Sequence, residues 1–110
     1  MEADKKSLSR GAKPIAVRAH DTERGTVIGA CDAYLLGKRI KEKGLVLEIS
    51  KEFYFERHTT ADGLAALLET CETANLVGEA AVGAYCKKNP DARASVKRVG
   101  GVPHLQVFQL

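Results

Sequence analysis

A chain of 110 residues, 45% hydrophobic and 28% charged, suits one domain with a single core. With 5% aromatic residues and no Trp, that core must be aliphatic. No apolar run approaches the roughly 18 residues of a membrane helix, so no helical membrane span and no membrane partner are expected. A formal charge of +3 is too small by itself to mark a nucleic-acid binder.

Residues 1–12, MEADKKSLSRGA, are polar and are expected to form a flexible tail; they lack the apolar core of a secretion signal. Residues 13–110 are expected to form a single α+β domain. PIAVRAH (14–20) alternates Ile15, Val17 and Ala19 against Ala16, Arg18 and His20, a half-buried strand with Pro14 at its start. DTERG is a turn, and TVIGACD (26–32) returns as the second strand of a hairpin. Asp32 is placed to cap one helical turn holding Leu35 and Leu36, with Gly37 ending it. GKRIKEKG is short, basic and bracketed by glycines. LVLEIS (45–50) is a strand, and EFYFE, with Phe53 and Phe55 alternating around Tyr54, reads as its extension or as a short strand.

The middle reads as helical. TTADGLAALLETC opens on a Thr cap and carries Leu64, Leu67, Leu68 and Cys71 at helical spacing. ETANLVGEAAVGAYCKKNP repeats that spacing with Val77, Ala80, Ala81, Ala84 and Tyr85, and Asn89–Pro90 stops it. The chain closes with SVKRV, a Gly-Gly turn, and HLQVFQL. The expected class is α+β, a mainly antiparallel sheet packed against a helical hairpin, in the order ββ(α)ββ-αα-ββ.

Charge is uneven along the chain. Residues 1–47 carry 10 Lys/Arg against 6 Asp/Glu, residues 48–79 carry 2 against 7, and residues 80–110 carry 5 against 1. Two basic ends flank an acidic middle. The three cysteines, Cys31, Cys71 and Cys86, are odd in number, far apart and without a CxxC pair. They read as free thiols of a reducing cytoplasm, with no disulfide framework and no metal site.

Three stretches raise chemical questions. Successive N–H groups around the Gly-Gly turn of VGGVPH would form an anion-binding nest with His104 beside it; a plain strand–turn–strand connection uses the same residues. In ANLVGEAAVG, Asn75 either caps a helix or presents its amide to a ligand; Glu79 lies four residues on, on the same helical face, and Gly78 permits close packing. In GKRIKEKG, Lys38, Arg39, Lys41 and Lys43 form the densest basic patch, either a phosphate grip or a solvated hairpin tip. HExxH, GxSxG, Walker and GxGxxG motifs are absent, and the three histidines are dispersed. No cofactor is implied, and the residues favour a non-catalytic binding module over an enzyme.

CDAYLLGKRIKEKGLVLEIS, ANLVGEAAV and RVGGVPHLQV together resemble the archaeal family of unknown function number 424, in the same order and over about residues 14–110. The N-terminal tail is longer than the family pattern. The matching positions are Gly37, Lys38, Asn75, Gly78, Glu79, Gly100, Gly101, Pro103 and His104. The resemblance implies a cytoplasmic archaeal protein associated with the translation or ribosome machinery; it assigns no active site.

Three functional expectations follow. The first is RNA or ribonucleoprotein binding through Lys38, Arg39, Lys41 and Lys43, helped by Lys97 and Arg98. The second is a protein-interaction module whose acidic middle, 62–79, docks a basic partner. The third is a small-ligand or catalytic pocket at which Asn75, Glu79 and His104 converge beside Gly100–Gly101.

Overall fold

The computed structural model describes residues 13–109; the expected tail, 1–12, and Leu110 lie outside the described residues. The class is α+β. A six-stranded sheet contains β1 (Ile15–Thr22), β2 (Gly25–Asp32), β5 (Arg57–Thr59), β6 (Thr73–Val77), β7 (Lys97–Val99) and β8 (Val102–Phe108), in the order β5-β1-β2-β6-β8-β7. Only the β2–β6 pair is parallel; the other four pairs are antiparallel. A separate two-stranded ribbon pairs β3 (Arg39–Glu42) with β4 (Leu45–Glu48). The helices are α1 (Lys51–Tyr54), α2 (Ala61–Leu68) and α3 (Glu79–Cys86), with 3-10 turns at Ala33–Leu35 and Pro90–Ser95.

Strand alternation sorts the core into two clusters. Ile15, Val17, Ile28, Ala30, Ala74, Leu76, Leu105 and Val107 point to one face, where Leu64 and Leu68 of α2 and Ala81, Val82 and Ala84 of α3 cover them. Ala16, Cys31, Val77 and Val99 point to the other, where Leu35, Leu47, Ile49 and Tyr54 pack. Each fully buried Leu or Ile contributes about 1.5–3 kcal/mol relative to exposure, so both layers matter to stability. All three cysteines are free and buried.

The expected hairpin of two adjacent helices is corrected. A strand, β6, separates α2 from α3, and Asn75 and Val77 belong to it. The sequence run is ambiguous because β6 is only five residues long: Thr73, Ala74, Asn75 and Leu76 alternate between half-buried and buried, but so short a run, leading straight into the helical spacing of Glu79–Cys86, is read as part of that helix. Gly78, at φ 108° and ψ 159°, then turns the chain from strand into helix in a conformation that other residues rarely adopt. Asn75 therefore caps no helix, and Asn75 and Glu79 do not share a helical face. EFYFE is likewise not a strand: Glu52, Phe53 and Tyr54 belong to helix α1 and Phe55 is its C-cap, with the Ser50 hydroxyl accepting from Phe53 N at 3.3 Å. The expected Thr cap is present: Thr60 Oγ1 accepts from Gly63 N at 3.1 Å.

Candidate functional site

The β6–Gly78–α3 junction resembles an anion site, since a glycine turn leads a strand into a helix N-terminus. Asp32 occupies it. This side chain is 1% exposed, and its two oxygens accept from Ala80 N at 3.1 Å and Ala81 N at 2.9 Å. The carboxyl group satisfies two of the helix's orphan donors from inside the fold. Asp32 thus caps α3, forty-odd residues away; the 3-10 turn that follows it directly receives no bond from its side chain.

The Gly-Gly turn is similarly occupied. Gly100 and Gly101 have φ of 56° and 81° and join Val99 to its partner Val102, the two positive angles a tight hairpin requires. Gly100 N donates to Glu42 Oε1 at 2.6 Å, and Gly101 O accepts from Arg98 Nη1 at 3.0 Å. The contact with Glu42 joins the ribbon to the sheet, with Ile40 and Val99 in one apolar cluster. The two basic segments of the sequence therefore meet in space.

Within the ribbon, Ile40, Glu42, Leu45 and Leu47 share one face and Arg39, Lys41, Val46 and Glu48 the other, as the pairing Ile40↔Leu47 requires. Arg39 sits opposite Glu48, while Lys41 sits opposite Val46. Lys43 occupies the turn with φ 49°, next to Gly44 at 85°. Lys38 Nζ lies 5.7 Å from the centroid of the exposed Tyr34 ring. Among the described residues, the ion pairs are Arg57–Glu56, Lys88–Glu69 and Arg98–Glu79. Arg39, Lys41, Lys43 and Lys97 form none of them. Arg98 does, through Glu79 Oε2 at 2.9 Å, and so differs from the other five basic candidates.

Asn75, His104 and Lys97 share the sheet face opposite α2 and α3. Asn75 pairs with Gln106 and accepts from its Nε2 at 3.1 Å; His104 lies across from Lys97 on one side and Val77 on the other. Burial, and then the charge of Lys97, lowers the His104 pKa below its usual 6.5, so the ring is neutral at pH 7. Glu79 stands on the helix-covered face with Arg98, beside Val82, Arg93 and Pro103. Asn75 and His104 thus come together, but Glu79 does not join them. No three His, Cys, Asp or Glu side chains cluster as metal ligands among the described residues.

Residues 20–110 match the model of a family described as "Protein of unknown function (DUF424)". The chain belongs to this family. It is also similar to an uncharacterized conserved protein from Methanopyrus kandleri, whose crystal structure superimposes with a TM-score of 0.74 at 30% identity, covering 88% of this chain and 92% of that one. No curated protein matches. In this DUF424 chain, several motif positions serve the backbone: Gly37 N donates to Ile49 O at 2.7 Å, and Gly78 N donates to Pro103 O at 2.9 Å. The motif residues that face solvent from the sheet are Asn75 and His104. Sequence reasoning missed their neighbours Gln106 and Phe108 as site residues; the alternation of HLQVF, with Leu105 and Val107 inward, carries the signal.

Proposed function

We propose that this DUF424 protein is a non-catalytic module that binds RNA or a ribonucleoprotein, in keeping with the translation association its family resemblance implies. The observation that carries the reading is the asymmetry of charge pairing. Arg39, Lys41, Lys43 and Lys97 are exposed and outside every ion pair of the described residues. Three of the four carboxylates of 62–79 are engaged: Glu69 pairs with Lys88, Glu79 with Arg98, and Glu72 accepts from Thr26 N at 2.7 Å. Unpaired, exposed cations suit phosphates, whose counterion release drives binding. Engaged carboxylates support docking of a basic protein less well.

A salt series with a ribosomal RNA preparation tests the reading. Binding should weaken steeply between about 50 and 200 mM salt. The R39A/K41A double variant should lower the slope of log affinity against log salt by about 1.4–1.8. An unchanged slope removes the ribbon as the phosphate grip. No binding at low salt removes RNA altogether.

A further inference from the structure

The sheet face opposite α2 and α3 is only partly covered. Helix α1 sits on Gly29, where an added Cβ would strike the Phe53 carbonyl and ring, and the ribbon covers Val99 and Val102. Between and beyond them lie Asn75 on β6 and His104, Gln106 and Phe108 on β8, bordered by Lys97 on β7. Lys97, His104, Gln106 and Phe108 line one open groove with Ser95. Phe108 is 72% exposed, unusual for the largest apolar side chain of a strand. We infer that this open face is a stacking platform for single-stranded RNA, with Phe108 and His104 receiving bases and the Asn75–Gln106 amide pair meeting base edges. The inference rests on the RNA reading above and names the form of RNA and the surface that takes it.

The chemistry is complementary at each position. Strands β6, β7 and β8 contain no Asp or Glu, so these strands present no carboxylate to a phosphate. Lys97 lies at the rim of the face, and the ribbon that carries Arg39 and Lys41 packs against Val99 of β7. His104, Gln106 and Phe108 alternate along β8, about 7 Å apart, a spacing that an extended single strand can follow and a stacked duplex cannot. The hydrogen bond between Gln106 and Asn75 uses one donor group and one acceptor. Whichever way the amides are turned, one NH2 and one carbonyl remain for a base. Aromatic faces accept any base, so the platform selects strandedness more than sequence.

The test compares a labelled 12-nucleotide single-stranded RNA with its duplex, using the full chain, by fluorescence anisotropy. The single strand should bind at least tenfold more tightly. F108A should cost roughly tenfold with its salt slope unchanged, whereas F108Y should bind like the parent. A 2-aminopurine in the strand should be quenched on binding, and less so by F108A. Because Phe108 is exposed, the variant's unfolding midpoint should match the parent's. Equal or tighter duplex binding, or F108A within twofold of the parent, overturns the platform while leaving the ribbon reading intact. Self-association lost in F108A with unchanged RNA affinity would overturn it too, making the face a contact between copies. Failure of the parent protein to bind any RNA at low salt overturns both readings together.

Discussion

At the scale of single residues, two carboxyl groups decide what the glycine motifs do. Asp32 and Glu42 stand where an outside anion would sit, at the start of α3 and at the Gly-Gly turn. Both motifs are therefore joints that tie distant segments together. Asp32 is the stronger case because it is buried and makes two bonds across 48 and 49 residues of sequence. D32A would strip the cap and leave two N–H groups without acceptors in a dry site. The expected loss is about 2 kcal/mol, read as a lower urea midpoint with the slope of the transition retained. A loss under about 0.5 kcal/mol would mean that water replaces the carboxyl group. Gly78 is bound into the same joint: any Cβ there would collide with the Asp32 side chain, at a φ that already disfavours one.

Among the elements, α1 shows best where a sequence misleads. It is four residues long, and Phe53, Tyr54 and Phe55 are all good strand formers. What makes it a helix is the Ser50 cap and the seat that Gly29 provides. Phe53 stacks on His20 with centroids 4.7 Å apart, and its carbonyl lies 2.9 Å from His20 Nε2. The Ser50 cap is local, but Gly29 and His20 are not, so the local run of aromatic residues reads as strand. Strand β6 was hidden for another reason: its alternation spans only Thr73–Val77 and runs directly into the helical spacing of α3, whereas β8 alternates over seven residues. The first hairpin, the Thr60 cap and the closing hairpin were legible because each depends on neighbours in sequence. So were Asn75 and His104 as positions to watch, but their shared face required the register of β6 on β8. If the seat at Gly29 holds α1, G29A should force Phe53 off the strand. Overpacking of this kind costs about 1–3 kcal/mol, with a matching loss of near-ultraviolet signal from the aromatic cluster. Unaltered stability would show that α1 is held from elsewhere.

Over the whole molecule, the two faces of the sheet divide the work. One is sealed by α2 and α3; the other is part core and part open surface, and its sealed part holds two buried titratable groups, Cys31 and Tyr54. Burial, then the Asp32 charge, pushes the Cys31 thiol from 9.0 up to about 12. Burial, then a charge on Cys31, pushes Tyr54 from 10.0 up to about 12. Both groups keep their protons in the folded state and lose them more readily when unfolded. Their contribution to stability is therefore complete below pH 9 and drains away as pH rises toward 12. His104 acts at the other end: its lowered pKa means that the unfolded chain takes up a proton first as pH falls through 6.5, so acid also erodes stability. Thermal unfolding should be flat between about pH 7 and 8.5. By pH 10.5 the midpoint should fall by about 5 °C or more, given that 1 kcal/mol moves a domain of this size by several degrees. C31A removes one of the two protons held by the cluster and relieves Tyr54 of its charged neighbour, so its midpoint should fall less over the same interval. Parallel falls in parent and variant would place the alkaline weakness outside this cluster; a smaller fall in C31A would locate it at the thiol and phenol beneath α1.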